Sequence, residues 1–178
     1  MIILIRHLPT SFNRRGVFQG RIDNPIDYES ISPNHIVNLS KIIKLISSKS
    51  YNLYSSPLKR CQQTTKLISK KTPKIDNRII EFNFGEWQEK SRNNLSQKDQ
   101  ELWNKNFTSI KLDENYHQFS ERINAFVKDL AKSELNIIIT HGVVIRYLFC
   151  KYYLNNINNI DYMNSITIHP GSITILRS

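Results

Sequence analysis

Short unbroken apolar runs alternate along this chain with longer stretches in which apolar residues return every three or four positions. The first run, Met1 to Ile5, is Ile-rich and too short for a helix, and Arg6 and His7 follow at once. It predicts a strand buried on both faces with His7 at its C-terminal end. Ser32-Pro33 has the form of a helix cap with proline in the first helical position, and Ile36, Leu39, Ile43 and Ile46 recur behind it at helical spacing. Tyr51 to Ser55 predicts a second strand, and Ser56-Pro57 repeats the cap signal ahead of Leu58, Cys61, Thr65 and Ile68 on one face. The stretch from Gln88 to Asn115 is polar, with one helix expected around Leu102 to Phe107. A stronger helix follows on the stripe Phe119, Ile123, Phe126, Val127 and Leu130. Asn136 to Thr140 predicts a further strand ending at His141-Gly142, and Val143 to Leu154 a helix leaving it. Ser165 to Ile168 and Ile173 to Leu176 read as two last strands around the Pro170-Gly171 turn.

Strands alternating with helices predict an α/β layered fold with a largely parallel sheet, and in such sheets ligands gather outside the carboxyl ends of the strands. Arg6-His7, Ser55-Ser56 leading to Arg60, and His141-Gly142 all fall at predicted strand ends. The pattern points three times to one site.

Composition narrows the class. With 178 residues, 39% hydrophobic and 22% charged, residues 1–178 have the size and make-up of one domain with its own core, which excludes collagen-like, low-complexity and disordered classes. No apolar run approaches the roughly 20 residues of a membrane helix. The N-terminal run lacks the basic leader and small-residue cleavage site of a signal peptide. Cys61 and Cys150 are isolated, so neither a disulfide framework nor a zinc site is indicated, and the expected location is the cytoplasm.

The formal net charge of +10 is unevenly spread. From Lys41 to Arg78 stand Lys41, Lys44, Lys49, Lys59, Arg60, Lys66, Lys70, Lys71, Lys74 and Arg78 against the single acid Asp76. Two explanations stay open, a solvated pair of helices or a positive field drawing an anionic ligand toward Arg60. Nucleic acid is disfavoured as the main partner, because the segment lacks zinc-finger spacing, a homeodomain pattern or RNA-binding aromatic motifs.

Five blocks occur in order: I-R-H-x-x-T-x-x-N (Ile5 to Asn13), G-x-x-Q-G-x-x-D-x-P-I (Gly16 to Ile26), S-S-P-L-x-R-x-x-Q-T (Ser55 to Thr64), E-x-x-F-G-x-W (Glu81 to Trp87) and T-H-G-x-x-I-R (Thr140 to Arg146). Over nearly the whole chain this series resembles the histidine phosphatase superfamily, the phosphoglycerate mutase-like proteins. The resemblance implies a three-layer α/β sandwich with a mostly parallel central sheet. It implies a phosphohistidine formed on His7, clamped by Arg6 and Arg60, with His141 as a further phosphate donor and Glu81 as the acid/base. Asn13 and Gln19-Gly20 match positions lining the phosphate pocket, and Gly142 is counted with them as substrate-binding. These residue types suit the chemistry. A neutral imidazole has a lone pair on one nitrogen while the other donates, and phosphoryl transfer is governed by positioning and charge stabilisation, for which guanidinium groups serve. A cationic cup of this kind replaces a divalent metal, so neither metal nor cofactor is expected.

Three departures from the family pattern stand out. Leu8 replaces the glycine of R-H-G and would be strained if that glycine needs a positive φ. Trp87-Gln88-Glu89 stands where relatives often have W-E-G, and Asp113-Glu114-Asn115 where G-E-S is usual. With only about 30 residues between the acid block and the next strong helix, the chain resembles the small broad-specificity or alpha-ribazole phosphatases more than the longer mutases. The expected function is hydrolysis of a small anionic phosphorylated metabolite. Phosphoglycerate mutase-type transfer is the alternative, and a catalytically silent phospho-ligand or nucleic-acid binding module is the rival from another class. Such a silent relative would be expected to lose at least one of Arg6, His7, Arg60, Glu81 or His141, and none is lost.

Overall fold

The computed structural model describes residues 1–46, 50–131, 134–152, 154 and 160–176. Its Ile-rich runs form the middle of one sheet. β1 (Ile2–Arg6), β2 (Tyr51–Ser55), β3 (Lys74–Ile75), β4 (Leu135–Thr140) and β5 (Ile173–Leu176) lie in the order β3-β2-β4-β1-β5. β1, β2 and β3 run parallel to their neighbours toward the centre, and β5 is antiparallel to β1. In register, Arg6 faces Thr140 and Ser55 faces Ile139, so the C-terminal ends of β2, β4 and β1 finish side by side.

Alternation along these strands divides the core into two layers. Ile3, Ile5, Ile137, Ile139 and Leu53 face one side, under Leu39 and Ile43 of α2 (Pro33–Ile46) and Cys61 and Ile68 of α3 (Lys59–Ile68). Leu4 and Ile138 face the other, which is rich in aromatic rings. There Trp103 of α4 (Gln97–Lys105), Phe119, Ile123 and Phe126 of α5 (Tyr116–Asp129), and α6 (Gly142–Tyr152) meet Phe82, Phe84 and Phe107. Each such side chain removed from water contributes roughly 1.5–3 kcal/mol. The result is the three-layer α/β sandwich that the resemblance implied.

Several local expectations are corrected. Residues 165–168 form no strand: a short 3-10 turn, Met163–Ser165, leads into extended chain whose carbonyls at Ile166 and Ile168 accept from Arg146 and Arg6 instead of pairing in a sheet. α3 begins at Lys59, two residues past the predicted cap, and the Ser56 hydroxyl contacts His141. The Lys59 N–H is taken instead by the Asp23 carboxylate at 2.6 Å, from a distant loop. The helix expected around Leu102 to Phe107 spans Gln97–Lys105, capped by Ser96, and a 3-10 turn Phe107–Ser109 follows. α6 is described from Gly142 to Tyr152, and Leu154 itself is in a bend and not in helix. The side chain of Ile46 and the whole of Lys49 lie outside what is described.

Candidate active site

His7 leaves β1 with its main-chain N–H on Thr140 at 3.0 Å and its side chain buried. The ring Nδ1 lies 2.7 Å from the Leu8 carbonyl, which only accepts, so Nδ1 carries the hydrogen and Nε2 the lone pair. Burial first, then the charges of Arg60 and Arg6, hold the imidazole neutral well below its ordinary 6.5. Leu8 is unstrained: the only non-glycine residue with positive φ among those described is Glu89. Its side chain fills the α2/α3 layer of the core and its N–H donates to Thr64 Oγ1 at 2.9 Å. A side chain next to His7 thus costs nothing in backbone geometry and ties the end of β1 to α3.

The two guanidinium groups are anchored by main-chain carbonyls. Arg6 Nη1 donates to Ile168, while Arg60 donates through Nη2 to Gly20 and through Nη1 to Ile22, both at 2.7 Å. Each keeps a buried Nε–H with no protein partner, and both side chains line one cavity of about 360 Å³. Buried unpaired N–H groups are costly unless a ligand takes them, so this pair marks a place for an oxyanion. Gly20 has φ +52, and a Cβ there would lie 2.4 Å from Gln88 Oε1, the acceptor of the Arg21 N–H. The departure Gln88 therefore braces the loop that carries Gly20. Asn13 and Gln19 share the Thr10 hydroxyl, at 3.0 and 2.9 Å, in the cap of the short helix α1 (Ser11–Arg15), and both line the cavity.

Glu81 lines the same cavity, buried, its Oε1 accepting from Phe82 N–H at 3.0 Å and its Oε2 from Val143 N–H at 3.4 Å. Its main chain is held from behind. Arg122 donates to the carbonyls of Arg78, Ile80 and Glu81, and Arg21 to that of Glu81. Both arginines converge on the buried carboxylate of Glu114, which also accepts from Asn83 N–H. Glu114 stands in the block Asp113-Glu114-Asn115, in the bend just ahead of α5, eight residues before Arg122.

The structure brings Arg6, His7, Asn13, Gln19, Gly20, Arg60, Glu81 and Gly142 onto the wall of one cavity. His141 stands behind them at the end of the central strand, its ring centroid 5.3 Å from that of His7 and its Nε2 2.7 Å from Ser56 Oγ. Burial, then Arg60, keep it neutral well below 6.5. Arg146, Arg92 and Trp103 are among the lining residues not singled out as site residues. The basic segment reaches the cavity through Arg60. Lys71 instead packs on Tyr51 at the far end of β2, and Arg78 is paired with Asp76 and Asp129. Among the described residues no group of three or more His, Cys, Asp or Glu stands together as metal ligands, and no helix is long and apolar enough to cross a membrane.

The profile of the histidine phosphatase superfamily (branch 1) matches residues 2–178, and the chain belongs to that family. It is 26% identical to a Hydrogenobacter thermophilus protein with the provisional name phosphoserine phosphatase 2, over 92% of this chain and 85% of that one. It is 27% identical to the 2,3-bisphosphoglycerate-dependent phosphoglycerate mutase of Thermoplasma acidophilum, over 98% and 85%. Among solved structures, a phosphoglycerate mutase from Thermus thermophilus superposes with a TM-score of 0.75 at 23% identity, covering 97% of this chain and 90% of that one. The product of open reading frame Rv3214 of Mycobacterium tuberculosis superposes with a TM-score of 0.81 at 14% identity, covering 97% and 88%. These structures share the fold.

Proposed function

We propose that the protein hydrolyses small phosphomonoesters through a phosphohistidine on His7. One observation carries this: the neutral His7 ring, its Nδ1–H fixed on Leu8, lines one cavity with Arg6 and Arg60, each of which keeps a buried Nε–H that no protein group accepts. His7 Nε2 attacks phosphorus as the ester P–O bond breaks, the two arginines take the charge on the equatorial oxygens, and the Glu81 carboxyl protonates the departing alkoxide. Water then attacks the phosphohistidine while Glu81 accepts its proton. The N–P bond breaks, releasing phosphate and the neutral imidazole. Asn13, Gln19 and the Gly20 loop support the oxyanion, and His141 supports His7 through their ring contact. Two relatives are named for phosphoserine and phosphoglycerate chemistry, which favours a small phosphorylated metabolite as substrate.

Brief incubation with a labelled phosphoester is expected to leave an acid-labile, base-stable phosphoryl group on the wild type and none on His7→Ala. Phosphate release is expected to persist in excess chelator. Turnover in His7→Ala near the wild-type rate would overturn the assignment. A parallel assay for conversion of 3-phosphoglycerate to 2-phosphoglycerate separates hydrolysis from mutase-type transfer. Hydrolysis is favoured because only α4 and its flanking short turns occupy the 88–115 stretch.

A further inference from the structure

The cavity leaves most of the chain's positive charge unused. From Ser30 to Ile75 there is no aspartate or glutamate, against nine lysines and arginines. Of those described, Arg60 alone lines the cavity, and Lys59 is paired with Asp23. Topology sends others toward the opposite end of the molecule. β2 starts at Tyr51 and ends at Ser55 on the side of the cavity, so α2, which ends at Ile46 shortly before Tyr51, carries Lys44 and Leu45 toward the far end of the sheet. α3 runs back from the cavity, and just past it Lys71 donates to the Tyr51 carbonyl, which places Lys66 and Lys70 toward that end too. Lys41, Lys44, Lys66 and Lys70 are exposed, and among the described residues none of the four is in a salt bridge. The outer face of α2 is also apolar. Leu39 and Ile43 are buried on the core, while Val37, Ile42 and Leu45 are exposed, Leu45 by 78%. At about 100° per residue, Val37, Lys41, Lys44 and Leu45 share one sector of the helix, opposite the Leu39 and Ile43 stripe.

We infer that the outer face of the α2/α3 layer docks on an anionic lipid surface, resting on the bilayer without crossing it. Val37, Ile42 and Leu45 enter the headgroup region, and Lys41, Lys44, Lys66 and Lys70 pair with the lipid phosphates and carboxylates. A single exposed apolar residue needs no explanation, but three interleaved with unpaired lysines on an acid-free helix have the composition of a face that lies on such a bilayer. A nucleic acid would engage the lysines and leave Leu45 in water, whereas a bilayer uses both. Docked in this way, the protein keeps its cavity, at the carboxyl ends of the strands, open to solution. The inference goes beyond the phosphatase reading and does not depend on it.

Co-sedimentation of the full chain with vesicles tests this, comparing vesicles of equal parts phosphatidylserine and phosphatidylcholine with vesicles of phosphatidylcholine alone. Binding to the anionic vesicles is expected to be about tenfold tighter or more, and to weaken as salt rises. Lys41→Glu combined with Lys44→Glu is expected to weaken it by about twentyfold or more, since each lysine near such a surface is worth about fivefold. Lys66→Glu combined with Lys70→Glu is expected to act in the same direction from α3. Leu45→Gln, which keeps the charge, is expected to weaken binding severalfold. All five residues are on the surface, and unchanged circular dichroism shows that each variant is folded. Absence of binding to the anionic vesicles overturns the inference. So does binding indifferent to Leu45→Gln, since a purely electrostatic surface would hold an oligonucleotide as tightly, and so does binding indifferent to the lysine reversals.

Discussion

Arg122 grips Glu114 with two nitrogens, at 2.7 and 3.0 Å, and with the same guanidinium holds the main-chain carbonyl of Glu81 at 3.1 Å. A residue on α5 thereby sets the position of a carboxyl group 41 residues away in the chain. The Glu114 carboxylate is what keeps two cations, Arg21 and Arg122, in place behind the cavity.

Glu114→Gln is expected to cost roughly 3 kcal/mol, because it leaves partly buried guanidinium groups without their counter-charge. Urea denaturation measures this. Activity lost at temperatures where the variant stays folded is expected to follow the leaving-group pattern of Glu81 variants, since displacement of Glu81 is the proposed route. A variant of wild-type stability would show that the triad is not the brace described.

Glu81→Gln is expected to slow alkyl phosphates by about two orders of magnitude or more and p-nitrophenyl phosphate far less. A general acid matters in proportion to the need of the departing oxygen for a proton. Equal losses on both substrates would assign Glu81 to phosphate positioning.

His7 and His141 are both held neutral below 6.5 by burial and neighbouring arginines. In the unfolded chain they take protons below about 6.5, and in the folded chain only at lower pH. Stability is therefore lost as pH falls from 6.5 toward the folded values, by up to about 1.4 kcal/mol per pH unit for each histidine. Urea titrations between pH 7 and 5 check this, and His141→Gln is expected to show a shallower dependence. kcat/KM, which reports the free enzyme, is expected to show no loss from protonation of His7 just below 6.5, because its imidazole stays neutral there.

Glu89 occupies the left-handed region at φ +66. Left-handed backbone costs a side-chain-bearing residue about 1–2 kcal/mol, partly offset by the entropy a glycine adds to the unfolded chain. Glu89→Gly is expected to raise stability by roughly 0.5–1 kcal/mol, read as a higher denaturation midpoint. No gain would mean that local contacts of Glu89 compensate the strain.

Much of this was legible from the residues alone, for physical reasons. Unbroken Ile-rich runs can only be satisfied between two layers, so β1 and β4 were readable, and polar residues directly after such runs have no place but the sheet edge where ligands bind. Ordered motif blocks carried His7, Arg6, Arg60 and Glu81. What the residues could not declare depended on partners distant in the chain. Whether Leu8 is strained hinged on a backbone angle. Residues 165–168 look like a strand until Arg6 and Arg146 claim their carbonyls, and α3 is capped by an aspartate from another loop. Arg92, Trp103 and Arg146 belong to segments separated by 11 and 43 positions. Their convergence on one cavity is decided only when the aromatic layer packs, because packing, and not spacing along the chain, brings segments distant in sequence to one wall.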